Sequence, residues 1–484
     1  MIACLALLIA GAAPRPNLVV FMADDLGWNH VGVDGLPNTA DPGRYETPHV
    51  AALAAEGLRF TAAYAQPNCA PTRSAMLTGQ YPARPTNDVY VVGSLNRAGK
   101  KRQSKVRFKG PPQSEDVSPE AVTIAGLLRS AGYATAHVGK FHVGGHRGPT
   151  TLPRNVGFDI NIGGGKQGHQ PVCFATRDGD DWRFRGLGDG AFDRFASPGD
   201  DGEPKHVTDA VGDAAVETIG RLAAGDRPFY LQVFTYAVHG PVRARPDLLE
   251  RHGGDQYAAF VAGMDEALGR VVAALGDPDS DGDPSDSVAS ETLLLFTSDN
   301  GGTHASNAPL RGKKGMFTEG GIRVPLIAKW PGTVEPGTTD RLTHCVDSYA
   351  TFAELAGAEV PGTHAVDGHS FAGTLRGEAA GRGTGIGYLF PGYLDTRATP
   401  CVVYIDEIEG RRWKVWYDYE TDAWSLYDLT GDAGESTDVF AERPQIAAEM
   451  RKRLLRWLSQ EGPGWRPKYP IDRASGESVG PPRG

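Results

Sequence analysis

The chain is 484 residues long, with 40% hydrophobic and 22% charged side chains and a formal net charge of −10. That profile describes a globular protein; at about 150 residues per domain the length suggests roughly three domains, and one large α/β domain plus a smaller one fits as well. Its 63 glycines and 35 prolines fall short of the roughly 25–30% that marks low-complexity sequence. The acidic balance excludes the basic field that a nucleic-acid binder turns to phosphates, though small anions can still bind locally.

Residues 2–13 (IACLALLIAGAA) form an apolar run too short for the ~20 residues of a bilayer span. Ending in small residues, they read as a signal segment, which predicts a periplasmic or secreted protein. No other run of ~18 apolar residues occurs, so no integral membrane protein is expected. The five cysteines, Cys4, Cys69, Cys173, Cys345 and Cys401, show no paired spacing. A disulfide framework is excluded, and one bridge is the most they allow.

Four β-rich apolar runs then end in residues that can do chemistry. Asn17 to Ala23 runs into Asp24-Asp25, and Tyr133 to Val138 into Gly139-Lys140-Phe141-His142. Phe229 to Val238 runs into His239-Gly240-Pro241, and Thr292 to Ser298 into Asp299-Asn300-Gly301-Gly302. Such runs, separated by helical patterns, predict a mostly parallel sheet covered by helices on both faces. Ligands of open α/β sheets bind beyond the carboxyl ends of the strands, so the four polar tips should meet in one crevice.

Helices are expected from Thr47 as cap with Pro48 in the first turn to Gly57, over Thr72 to Thr78, and over Glu120 to Ala131. Two longer ones follow, over Asp209 to Ala224 and Gln256 to Leu275, with glycines just past their ends. The texture changes near residue 375. Arg412 to Tyr417 and Trp424 to Leu429 read as an antiparallel hairpin, and Pro444 to Gln460 as an amphipathic helix. The expected organisation is a signal segment over 1–13, a catalytic α/β domain over 14–375, and an α+β subdomain over 376–484 built on an antiparallel sheet.

Asp24-Asp25 and Asp299-Asn300 put four oxygen-bearing side chains at two strand ends, a donor set for a hard cation such as Ca²⁺ or Mg²⁺ rather than zinc. Cys69, in Asn68-Cys69-Ala70-Pro71-Thr72-Arg73, stands where a helix begins and anions are favoured. A thiolate is too soft a ligand for such a cation. Either the cysteine is converted or it is not a ligand.

Cys69-Ala70-Pro71-Thr72-Arg73 followed by Leu77-Thr78-Gly79 resembles the signature of the formylglycine-dependent, or type I, sulfatases of the alkaline phosphatase superfamily. The likeness extends through Asp24 to Trp28, Gly139 to His142, His239 to Pro241 and Ser298 to Gly301. It ends in Leu310 to Gly315 with Glu319 to Pro325. It implies an arylsulfatase-like sulfuric ester hydrolase with an alkaline phosphatase-like fold. It further implies that a formylglycine-generating enzyme converts Cys69 to formylglycine (3-oxoalanine), whose hydrate attacks the sulfur of a sulfate monoester.

The resemblance assigns Asp24, Asp25, Asp299, Asn300 and the converted Cys69 to one divalent cation, Ca²⁺ or alternatively Mg²⁺. Arg73 and Lys140 would hold the hydrate, and His142 would be the base that later collapses it. His239 and Lys314 would bind the sulfate, one of them protonating the departing alcohol. Lys314 is preferred over Lys313 by its spacing to Glu319-Gly320-Gly321. Thr72 stands where Ser or Ala is common, and Phe141 where Trp is common. With a divalent cation counted, the site is positive and suits an anionic substrate, expected to be a sulfated carbohydrate.

Three features lie outside this set. Lys100, Lys101, Arg102, Lys105, Arg107 and Lys109 make a basic run read as a solvated loop, with contact to a sulfated glycan as its alternative. Asp277 to Asp283 mimics a calcium loop but has Val288 where the ligand Glu is needed. Gly163 to His169 lacks the context of a dinucleotide loop and is expected to line the crevice, with Lys166 or His169 near sugar. The rival readings are a phosphonate monoester or phosphodiester hydrolase of the same superfamily, and an inactive homologue that binds sulfated glycans.

Overall fold

Every residue of strand β1 (Asn17–Ala23) is buried, and its side chains alternate between two cores. Leu18, Val20 and Met22 join one apolar cluster, Val19, Phe21 and Ala23 the other. A strand with period-two side chains and two apolar faces must be covered on both sides. The computed structural model describes residues 15–33, 43–99, 105–187, 190, 192–199, 202–379, 381–460 and 464–483. The expected signal segment lies outside them.

β1 is central to an eight-stranded sheet with β2 (Leu58–Phe60), β3 (Ala134–Gly139), β4 (Ile160–Ile162), β5 (Phe229–Phe234), β6 (Thr292–Ser298), β7 (Leu326–Lys329) and β8 (Gly337–Thr339). The strand order is β8-β2-β7-β6-β1-β5-β3-β4. From β6 to β4 all pairings are parallel, while β7 runs antiparallel to both β6 and β2. The large sheet is therefore mixed and mostly parallel, as expected.

Helices α1 (Pro48–Ala55), α4 (Val207–Ala223) and α5 (Gln256–Gly276) contribute to the core on one face. Helices α2 (Cys69–Thr78), α3 (Ile124–Ser130) and α6 (Asp347–Ala356) contribute to the other. One start and one cap on these helices differ from expectation for identifiable local reasons. α3 begins late because Thr123, not a residue near Glu120, accepts the Gly126 N–H. Thr47 does not cap α1: its hydroxyl accepts from Gly32 N, and Asp265 of α5 takes the His49 and Val50 amides instead.

The C-terminal part carries a four-stranded antiparallel sheet, β9 (Ile386–Phe390), β10 (Cys401–Ile408), β11 (Arg411–Asp418) and β12 (Ala423–Asp428), in that spatial order. β11 and β12 are the expected hairpin, with Tyr417 opposite Trp424. One face of this sheet packs on α7 (Pro444–Leu458) through Val402, Val415 and Leu454. The other, with Val403 and Ile405, closes over Phe317 and Ile322. No helix among the described residues is long and apolar enough to cross a membrane, and the four described cysteines are all free.

Candidate active site

In-register pairing levels the strand tips that matter. Ala23 stands opposite Ser298, Met22 opposite Phe234, and Phe234 opposite Gly139, so β6, β1, β5 and β3 end side by side. The chain leaving them is stitched together by its backbone. Asp24 N donates to Ala237 O at 2.8 Å, Val238 N to Asp24 O at 2.6 Å, and Asp299 N to Ala23 O at 3.2 Å. The expected convergence of Asp24-Asp25, Lys140 to His142, His239 and Asp299-Asn300 is what the fold produces.

Helix α2 delivers Cys69 to this point. It starts at Cys69, three residues earlier than expected, so Cys69 and Arg73 stand one turn apart on the same face. Thr72, the residue that departs from the common Ser or Ala, fixes the helix to β6. Its hydroxyl donates to Asp299 O at 2.6 Å and accepts from Gln66 N at 3.0 Å. Sequence reasoning gave Thr72 no role, because the acceptor that ties it to β6, Asp299 O, is 227 residues away.

Asp24, Asp25, Cys69 and Asp299 present one ligand-type atom each, all within 4.8 Å of one another, and all four residues are buried. Cations answer these charges. Arg73 Nη2 lies 2.8 Å from Asp299 Oδ2, Lys140 Nζ 2.5 Å from Asp24 Oδ2, and Lys314 Nζ 2.7 Å from Asp25 Oδ1. Arg73 also donates to Lys140 O, and Asn300 Nδ2 to Asp25 Oδ1. Two buried oxygens, Asp24 Oδ1 and Asn300 Oδ1, have no hydrogen-bond partner among the described residues. Unpartnered buried oxygens are costly, and a hard cation would satisfy both. The donor set therefore fits Ca²⁺ or Mg²⁺.

Electrostatics at the cluster are polarised. Burial, reinforced by Asp299, raises Asp24 well above the usual carboxylate range despite Lys140. Burial acts upward on Asp25 too, but Lys314 and His239 outweigh it and hold that carboxyl low. Burial pushes the Cys69 thiol up to about 11 against the pull of Lys140 and Lys314. An uncharged thiol is neither a nucleophile nor a ligand for a hard ion.

Two site residues hold the left-handed backbone region that non-glycine residues avoid: Asp25 at φ 63° and His142 at φ 70°. Such conformations cost about 1–3 kcal/mol and persist where surrounding contacts over-determine them. His142 is pressed against Gly168, where a Cβ would come 2.3 Å from its Nε2, and its Nδ1 has no partner among the described residues. Burial, with Lys140 and Arg73, keeps its imidazole neutral. Burial also lowers His239 to about 4 although Asp25 opposes it. Its Nδ1 sits 2.7 Å from Gly240 O, turning Nε2 inward.

These groups face a cavity of about 390 Å³. His169 reaches its wall and stacks on His239 at 5.7 Å, whereas Lys166 does not line it. Lys314 points in, and Lys313 is exposed. Arg97, Thr303, His304 and Arg397 also line it and were not singled out from sequence. A cavity of about 450 Å³ beside α7 contains Arg382, Tyr404 and Trp457 but none of these groups. Of the basic run, Lys100, Lys101 and Arg102 lie outside the described residues, and Arg107 is 3.5 Å from Asp472. In the Asp277 loop several carboxylates accept from the loop's own amides, as in Asp281 N to Asp279 Oδ1 and Gly282 N to Asp277 Oδ2.

A mixed sheet whose tips gather three carboxylates, a helix-start cysteine and three cations defines a hydrolase of oxyanion esters on the alkaline phosphatase scaffold. The sulfatase family model matches residues 16–358, and the model for the C-terminal part of N-sulphoglucosamine sulphohydrolase matches residues 311–460. The chain is 35% identical to a sulfatase of Formosa agariphila over 92% of this chain and 89% of that one. It is 34% identical to the N-acetylgalactosamine-6-sulfatase of Homo sapiens over 76% and 67%. Among solved structures it is similar to Ps i-CgsB in complex with k-i-k-neocarrahexaose, with TM-score 0.71, 25% identity and coverage of 93% and 95%. A protein solved with its substrate D-glucosamine-2-N,6-O-disulfate shares the fold, with TM-score 0.61, 18% identity and coverage of 92% and 98%. The chain belongs to the sulfatase family, as a type I sulfatase of the alkaline phosphatase superfamily and a sulfuric ester hydrolase.

Proposed function

We propose that this protein is an exported sulfatase that removes sulfate from a sulfated carbohydrate. In this reading Cys69 is matured to formylglycine, and Asp24, Asp25, Asp299 and Asn300 hold one Ca²⁺ or Mg²⁺. The observation that carries it is the pair of unpartnered buried oxygens, Asp24 Oδ1 and Asn300 Oδ1, gathered with a cysteine whose thiol is unsuited to the site. The carbohydrate in the names of the relatives supports the substrate class, and the apolar run at residues 2–13 supports export.

When present, the cation would polarise the ester and the matured Cys69 would supply the attacking oxygen. The chain's own residues do the rest. Lys314 and the inward Nε2 of His239 both reach toward Asp25 and would bind the sulfate oxygens. Lys314 is the member of the pair with a proton to give the leaving alcohol, because the neutral His239 keeps its own on Nδ1 against Gly240 O. Arg73 fixes Asp299, and Lys140 fixes Asp24, so the oxygens cannot turn away. His142, neutral and with Nδ1 free, accepts a proton when sulfate is expelled.

The test is sulfate release from monosulfated sugars by protein co-produced with a formylglycine-generating enzyme, beside an aryl phosphonate and Cys69→Ala. Sulfate release in the wild type and none in the variant is expected. A large preference for the phosphonate, or full activity in Cys69→Ala, overturns the proposal.

A further inference from the structure

We infer that Arg97 and Arg397 form a second anion-binding subsite at the mouth of the catalytic cavity. It would take a second sulfate or a carboxylate, on the sugar bearing the scissile sulfate or on the adjoining one. The inference rests on the sulfatase reading above and goes beyond it by naming a second charge on the substrate.

The two arginines lie far apart in the sequence. A short parallel ladder pairs Asn96 with Tyr393 and Arg97 with Leu394. The turn after it, closed by Arg397 N to Leu394 O at 2.9 Å, folds Arg397 back over the catalytic loop. Its Nη1 lies 3.4 Å from Lys314 O, and a Cβ on Gly315 would come within 3.1 Å of it. Both arginines line the cavity that also contains Cys69 and Lys314. The second charge would thus bind beside the first.

Their partners leave the pair underneutralised. Asp395 holds Arg397 through Nε at 3.0 Å and Nη2 at 2.7 Å, which fixes the guanidinium at the cavity wall with only the long contact to Lys314 O on Nη1. Arg97 donates from Nη2 to Val92 O at 3.2 Å and has no carboxylate within ion-pair distance among the described residues. Burial and the like charge of Arg397 depress its affinity for a proton. An anion between them would relieve that repulsion, and the planar fork of arginine suits sulfate or carboxylate.

The experiment compares kcat/KM on a monosulfated hexosamine, a disulfated hexosamine and a monosulfated disaccharide with a neighbouring uronate, for wild type, Arg97→Gln and Arg397→Gln. The wild type is expected to prefer a doubly charged substrate. Arg97→Gln should cut that preference about tenfold, the scale of one charge-assisted hydrogen bond. Preference for the disulfate identifies a sulfate subsite, and preference for the uronate a carboxylate subsite. Turnover of the monosulfated sugar with no preference, or one unchanged in Arg97→Gln, overturns the subsite alone. No sulfate release from any of them, with Cys69 fully matured, overturns both readings.

Discussion

Arg73 and Asp299 form an ion pair withdrawn from solvent, with Nη2 2.8 Å from Oδ2 and side chains 1% and 0% exposed. Arg73 Nε reaches the same oxygen at 3.1 Å, and the guanidinium lies 5.3 Å over the Phe234 ring. The arginine that starts one turn after Cys69 is thereby the clamp on the β6 tip. Removing one partner strands a buried charge, so Arg73→Met should lose about 3–5 kcal/mol of stability. Arg73→Met with Asp299→Asn should regain most of that and remain inactive. A denaturant cycle with activity assays checks both, and recovered turnover would contradict the assignment.

Chelation and refilling should report the cation. Protein stripped of divalent ions and returned to Ca²⁺ or Mg²⁺ at a hundredfold excess over Kd should gain about 2.7 kcal/mol. Asp24→Asn and Asn300→Ala should shrink the gain. A thermal melt reads the shift, and an equal shift in both variants would place the ion elsewhere.

Gly168→Ala should act on catalysis rather than on folding. The new Cβ would meet His142 Nε2 at 2.3 Å, while Gly168 itself is in a half-exposed loop. Displacing a catalytic group by about 1 Å can cost about a hundredfold, so kcat should fall by that order with little change in the melt. Unchanged kcat would remove His142 from the reaction.

Acid should weaken the fold through His344. It is buried, its Nδ1 accepts from Val346 N at 3.3 Å, and burial lowers it to about 3 although Asp347 opposes this. The unfolded chain takes up a proton near the ordinary histidine value of 6.5, the folded chain only near 3. This group's contribution is therefore complete above pH 6.5 and lost as pH falls toward 3, at up to about 1.4 kcal/mol per pH unit. Unfolding free energies at pH 7.5 and 5 should differ in that direction, with proton uptake on unfolding at pH 5.

Much of the site was legible because β1, β3, β5 and β6 are mostly apolar, and chemistry-bearing residues follow where those runs stop. Asp24, Lys140 and Asp299 announce themselves by standing where such runs stop. The C-terminal hairpin was readable for the same local reason. What escaped depends on contacts far apart in sequence. Strand β10 is paired on both sides, a placement its own sequence does not announce. Thr72 bonds a carbonyl 227 residues away. Arg97 and Arg397 share a cavity only because a two-residue ladder joins them. The late start of α3 turned on which of several hydroxyls captured an amide, which spacing alone does not decide.

Tandem mass spectrometry of the peptide spanning Cys69, from protein matured in a host with a formylglycine-generating enzyme, tests the central claim most directly when paired with sulfate release. The account predicts an aldehyde in place of the thiol, and activity that rises in proportion to the converted fraction. Full activity from protein carrying only the intact thiol would contradict it.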